Sequence, residues 1–378
     1  MGIKTTLLRE DIEDKSIVWF AETNQYTVLE NKVAEIIFNI NDGISIEEIS
    51  KELEKELKVS FDDALDFTKK VYTDIYEPNT KNNFKKTEID HNFKVPPFQI
   101  SKFYKINDIT FRVDFLSDFE EYLVHPKFSH LEIDQTQNFD HHFQSFTQNN
   151  ITYLLINGDF IGSWHRKDIH YFQGKFSMYI VQYIHNKPED EWMGIFHASG
   201  LGNQNKSLLL LGDSGNGKST SLAILQANGL TCLADDFVPM DIEKQNIYTF
   251  PSAISIKKNS LETLLPMYPE LENSAEFHFK TLNKIVRFLP PKTNKTNYNS
   301  PCNHLIFIKY EKDSGLDFNP ISKIEAFQQL IPDSWISNKP KNVKIFLKWF
   351  SNTTCYRLTY SDNKKMVKTI KNILNDDV

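Results

Sequence analysis

The apolar run Ser207-Leu-Leu-Leu-Leu211 leads into Gly212-Asp213-Ser214-Gly215-Asn216-Gly217-Lys218-Ser219-Thr220, and Ser221-Leu-Ala-Ile-Leu-Gln-Ala-Asn-Gly229 follows. The spacing is G-x-x-x-x-G-K-[ST] between a strand-like and a helix-like segment, which is the context that gives it meaning, and Gly229 closes the helix. Glycines let successive backbone N–H groups turn toward a phosphate chain, and a helix N-terminus adds the positive end of its dipole. Lys218 is placed to bridge β and γ phosphates and Ser219 to ligate Mg²⁺. Residues Gly212 through Thr220 are therefore expected to bind a nucleotide, with ATP and Mg²⁺ as cofactors.

Two further signals flank this pattern. Leu230-Thr-Cys-Leu-Ala-Asp235-Asp236 reads as the next strand of a βαβ unit, returning beside the first so that both carboxylates sit at its carboxyl end over the phosphates. That position suits a general base, Asp235, and a metal partner, Asp236. Upstream, Gly194-Ile-Phe-His197-Ala-Ser199 puts His197 at the end of another apolar run. Glycine use supports the same place. The chain holds only 13 glycines in 378 residues, about half the ~7% of ordinary proteins, yet ten lie between Gly158 and Gly229.

The series His197-Ala-Ser, strand, Gly-Asp-Ser-Gly-Asn-Gly-Lys-Ser, helix, Leu-Ala-Asp-Asp-x-Val resembles the catalytic core of HPr kinase/phosphorylase and its relatives, over about residues 192–240. The resemblance implies that family's fold and seryl phosphotransfer. By it, Asp235 takes the hydroxyl proton, Asp236 and Ser219 serve the metal, Lys218 serves the phosphates, and His197 stands near the transferred phosphoryl group. Thr220 occupies the place where the HPr enzymes have Glu, and their Gly-rich downstream segment is missing, so phosphorylase activity and HPr as substrate are not implied. Val286-Arg287-Phe288-Leu289-Pro290-Pro291 is similar to an element of the HPr-kinase-related enzymes found beside peptide-modification genes. There Arg287 is a candidate contact to substrate or phosphoryl group, because a guanidinium fork suits phosphate; a surface salt bridge is the other reading.

The elements that must hold this site begin with a small unit. Ile17–Phe20 and Tyr26–Leu29 read as a hairpin; Val33, Ile36, Ile37 and Ile40 as a helix stopped by Asn41-Asp42-Gly43; Ser45 with Glu48 as a capping box opening a second helix; and Ser60 as the cap of a third. This order resembles the PqqD-like domains that recognise leader peptides, which implies binding of an extended leader beside the hairpin and third helix. A winged-helix domain that only packs or dimerises is the alternative. Residues 98–190 read as mostly β structure, including Phe176 to Ile184, with His141, His142, His165 and His170 lacking metal-ligand spacing. Strands at His304–Tyr310 and Cys355–Tyr360, with helices at Ile324–Ile331, Val343–Phe350 and Lys365–Leu374, are expected to complete the α/β core. The expected fold is thus an α/β P-loop kinase core of HPr kinase type, preceded by a small winged-helix-like α+β (PqqD-like) domain. Its boundaries are 1–77 for peptide recognition, 78–97 for a linker, 98–190 for a β-rich part and 191–378 for the catalytic domain.

Composition narrows the function classes. Lys+Arg 43 against Asp+Glu 50 gives −7, a field that repels nucleic acid and anionic membranes, so neither is an expected partner. No apolar run is long enough to span a bilayer and no signal-peptide core opens the chain, so a cytoplasmic location is expected. Met1-Gly2 with Thr6 fits the myristoylation pattern only loosely. Cys232, Cys302 and Cys355 are far apart and read as buried thiols. The expectation is an ATP-dependent kinase of a serine, or similar hydroxyl, on a ribosomally made precursor (leader) peptide or small protein. The alternatives are a nucleotide-dependent peptide-delivery protein and a kinase of free serine or another metabolite; relatives of this core often form rings, which leaves a homo-oligomer open.

Overall fold

The structure, a computed structural model, describes residues 4–81, 93–203, 205–279, 284–292 and 299–376. Gly2 and most of the expected linker lie outside the described residues. The chain is a mixed α/β protein that divides into two compact units, residues 1–87 with 321–353, and residues 88–320 with 354–378.

In the first unit, strands Leu7–Ile12, Lys15–Phe20 and Gln25–Glu30 form an antiparallel sheet in chain order, followed by helices Asn31–Asn41, Ile46–Leu57 and Phe61–Val71. The second helix opens on a capping box: Ser45 Oγ accepts from Glu48 N–H at 3.2 Å while the Glu48 carboxylate accepts from Ser45 N–H at 3.1 Å. Ser60 Oγ caps the third by accepting from Asp63 N–H. The run Ile17-Val18-Trp19-Phe20 does not alternate, and the reason is that both faces of its strand are covered. Val18 and Phe20 join the helix side with Leu29, Ile37, Ile49 and Leu53. On the opposite face Tyr26, paired with Trp19, meets the rings of Phe327 and Phe346, each at 5.8 Å. Those rings belong to helices Lys323–Leu330 and Pro340–Asn352. Residues 321–353, read from sequence as part of the α/β core, therefore cluster with the N-terminal sheet. Glu13 fixes their start by accepting from Lys323 N–H at 2.8 Å.

The second unit contains a six-stranded sheet in the order Glu132–Ile133, Ile100–Ile106, Ile109–Phe115, His141–Gln148, Ile151–Ile156, Asp159–His165. Its one parallel pair, 109–115 with 141–148, is bridged by helix Asp118–Phe128, as a crossover requires. The segment read as β around Phe176–Ile184 is instead the helix Ile169–His185. Phe172, Phe176, Ile180 and Ile184 recur every four residues on its buried side, and Asn186 ends it in the left-handed region.

The larger sheet carries the order Thr231–Asp235, Ser199–Gly202, Ser207–Leu211, Asn299–Tyr310, Asn246–Tyr248, Val238–Asp241, Trp192–Phe196, with Thr354–Tyr360 parallel to the far part of 299–310. The strand ending in Asp235 is not beside the strand ending in Leu211. Ser199–Gly202 lies between them, antiparallel to both. The two strands still run the same way, so Asp235, Gly212, Tyr310 and Tyr360 all reach the same carboxyl edge, where open α/β sheets gather ligands. Leu208, Leu210, Leu222, Leu225, Ile306 and Ile370 fill the core beneath. Cys232, Cys302 and Cys355 are all buried. Among the described residues, no helix is long and apolar enough to cross a membrane.

Candidate functional site

The loop after Leu211 is shaped by positions only glycine fills easily. Gly212 stands at φ +133°, and a Cβ there would lie 2.9 Å from the Ile308 carbonyl oxygen. Gly217, at φ +95°, directly precedes helix Lys218–Ala227. Among the described residues that helix has no side-chain cap, and it has no acidic residue in its first turn, so its leading N–H groups are left to whatever binds in front of them. Neighbouring strands brace the loop: Tyr310 N–H donates to Asn216 O at 2.9 Å, and Ser221 Oγ donates to Gly217 O while sharing a 2.7 Å bond with the Tyr360 hydroxyl. Lys218 is buried, and its ammonium folds back to donate to Gly212 O at 2.5 Å and Asp213 O at 3.4 Å.

The two aspartates occupy different places. Asp235 is 2% exposed and accepts from Ser199 Oγ at 2.6 Å, from Ser255 N–H at 3.4 Å and from the Ser219 hydroxyl. Burial, and then the neighbouring Asp236 charge, push its carboxyl up to about 6 against the pull of those three bonds. Asp236 takes a left-handed backbone, φ +64°, held by its N–H on Ala198 O and by His197 Nδ1–H on its own carbonyl at 3.2 Å. Lys127 Nζ lies 3.7 Å from its carboxylate.

A cleft of about 740 Å³, including its open mouth, is lined by His197, Asp213, Ser214, Gly215, Gly217, Lys218, Ser219, Thr220, Asp236, Ser255, Lys257, Asn259 and Ser260. It joins the loop, one of the two aspartates and the expected histidine. Asp235 lies behind this wall, reached through Ser219 and Ser255. No family model matches the chain, and no curated protein matches it.

Arg287 is not brought to the cleft. It pairs across strands with Ile256, a core residue, and so shares the face opposite Ser255 and Lys257. There its guanidinium donates to the carbonyls of Leu271 and Glu272 and lies 3.6 Å from Glu276. The residues that sequence reasoning missed are Ser255, Lys257, Asn259 and Ser260. Their signal was the alternation Ile254, Ile256 inward against Ser255, Lys257 outward. Thr220 Oγ1 latches this segment by donating to Ser260 Oγ at 2.8 Å.

Among the described residues, no group of three or more His, Cys, Asp or Glu forms a metal cage. The Asp236 carboxylate and the Ser219 hydroxyl, both on the cleft wall, are oxygen donors of the kind Mg²⁺ takes, its shell otherwise completed by water and substrate phosphates.

Proposed function

We propose that this chain is an ATP- and Mg²⁺-dependent kinase that phosphorylates a serine, or similar hydroxyl, on a peptide or small protein. The observation that carries the reading is one cleft in which a glycine-shaped loop, an uncapped helix start and Lys218 face Asp236, with Asp235 bonded to Ser219 behind them. The resemblance to HPr-kinase-related enzymes of peptide-modification clusters supports the same chemistry, and the mixed α/β sheet is compatible with it.

In this reading the loop N–H groups cradle the phosphates and the Lys218 ammonium exchanges the Gly212 carbonyl for phosphate oxygens. Asp236 and Ser219 would hold Mg²⁺, which when bound would neutralise charge on the phosphate oxygens. The acceptor oxygen forms its bond to the γ phosphorus, the bond to the β,γ-bridging oxygen breaks, ADP leaves, and the hydroxyl proton passes to Asp235. A carboxyl raised to about 6 suits that task near neutral pH. One observation favours an exchange of roles: Asp236 lines the cleft and Asp235 does not. In that version Asp236 takes the proton and Asp235 positions Ser219. The N-terminal sheet would capture the leader along its edge strand Gln25–Glu30.

Full-length protein incubated with γ-labelled ATP and the serine-bearing peptides encoded beside its gene tests the proposal. Label on a peptide serine is expected; nucleotide binding without any phosphopeptide would favour a delivery protein instead. Asp235→Asn and Asp236→Asn separate the two roles, because loss of the metal ligand is partly recovered by raising Mg²⁺ and loss of the base is not.

A further inference from the structure

Among the described residues that line the cleft, Lys257 is the one lysine or arginine besides Lys218, and nothing in the motif reading assigns it. It ends the strand Ile254–Lys257, in which Ile254 and Ile256 face the core while Ser255 and Lys257 face the cleft. The strand is anchored at both sides of the lysine: Ser255 N–H rests on Asp235, and Ser260 Oγ receives the Thr220 hydroxyl from the loop helix. Between these anchors the Lys257 ammonium donates to Ser214 Oγ at 3.3 Å. It thus bridges the carboxylate side of the cleft to the front of the loop, across from Lys218.

The charge balance asks for such a group. The wall presents Asp213 and Asp236, with Asp235 behind; Lys127, 3.7 Å from the Asp236 carboxylate, offsets one of these charges, and Lys218 on the loop opposes the rest. A polyphosphate entering that wall meets net negative charge unless a second ammonium faces it. The guanidinium expected for this task, Arg287, is bonded to the Leu271 and Glu272 carbonyls instead.

Resting on the kinase reading above, we infer that Lys257 is the second phosphate cation of the cleft, leaving Ser214 to contact the terminal phosphoryl group of the bound triphosphate. Its contact is with the group that transfers, so it distinguishes triphosphate from diphosphate and stabilises charge that develops as the bond to the bridging oxygen breaks.

The test uses full-length protein with Lys257→Gln and Lys257→Arg. Binding is measured by calorimetry with ADP and with the non-hydrolysable β,γ-imido analogue of ATP, each with and without Mg²⁺, beside single-turnover transfer. Lys257→Gln is expected to weaken the triphosphate analogue about tenfold or more, leave ADP within twofold, and slow transfer about 10²-fold. Lys257→Arg should restore most of both. Equal weakening of ADP and the analogue, or an unchanged transfer rate, would overturn the inference while leaving the kinase reading intact. Wild-type protein that binds neither nucleotide would overturn the kinase reading itself, and the inference with it. Unfolding midpoints of both variants matching wild type would show that the readout is not a folding defect; a lowered midpoint in Lys257→Gln that Lys257→Arg restores without restoring triphosphate selectivity would assign Lys257 a structural role instead.

Discussion

Asp114 and Asp235 are both 2% exposed, both sit on strands of the same unit, and both accept a 2.6 Å bond from a serine, Ser101 and Ser199 respectively. Their carboxyls nevertheless move in opposite directions. Burial raises Asp114, but bonds from Arg112 at 3.0 Å, from Ser101 and from His142 at 2.7 Å outweigh it and hold the group low. Among the described residues Asp235 is bonded only by neutral donors, and it stands next to another carboxylate, so burial and like charge win. A buried aspartate held by a guanidinium, a hydroxyl and an imidazole is part of the scaffold. One left beside a like charge at the end of a strand, next to a glycine-shaped loop, is the candidate for taking up a proton or a cation.

Several substitutions break or sharpen this contrast. Asp235→Asn is expected to lower phosphoryl transfer about 10³-fold while Asp114→Asn leaves it near wild type, as measured by label incorporated per minute. Lys218→Ala should weaken nucleotide binding by about 10–100-fold, because it removes charge-assisted bonds to phosphate. Gly212→Ala should weaken it about tenfold or more through the 2.9 Å approach to Ile308 O and the φ of +133°, with calorimetry as the check on both.

Stability should separate the two aspartates with opposite sign. Asp114→Asn leaves Arg112 without its charge partner and His142 Nε2 without its carboxylate partner, and should cost about 1–3 kcal/mol in urea unfolding at neutral pH. Asp235→Asn removes a carboxylate whose charged form is penalised, and should gain on the order of 1–3 kcal/mol above pH 6. The pH slopes follow. Because folding raises the Asp235 carboxyl from 3.8 to about 6, its contribution is full below about pH 4 and is lost as pH rises through 6. Because folding lowers Asp114, its contribution is present above the ordinary carboxyl value and is lost as pH falls through the lower folded one. Wild-type-minus-variant stability plotted against pH should therefore fall toward high pH for Asp235 and toward low pH for Asp114.

Local signals in the sequence were legible where the physics is local. The Ser45–Glu48 box, the Ser60 cap and the strand–loop–helix order around Gly212 to Thr220 each depend on a few neighbouring residues, and each is present. What was not legible depends on partners distant in the chain. Leu7–Ile12, mixed in charge, becomes a strand because Lys15–Phe20 pairs with it. The insertion of Ser199–Gly202 between the two site strands has no local signature, nor does the clustering of 321–353 with Tyr26. Arg287 misled because residue type suggested phosphate while register placed it opposite Ile256. The 321–353 clustering also bears on experiment: truncation after residue 80 would strip the Tyr26 ring from Phe327 and Phe346, so point variants in the full chain are the better probes.

The measurement that meets the central claim most directly is transfer of γ-labelled phosphate from ATP to a serine-bearing peptide by wild type, Asp235→Asn and Asp114→Asn side by side, with nucleotide binding recorded for each. The account predicts label with wild type and Asp114→Asn, and loss of about 10³-fold with Asp235→Asn although nucleotide still binds. Transfer by Asp235→Asn at the wild-type rate, or wild-type protein that binds no nucleotide, would contradict it.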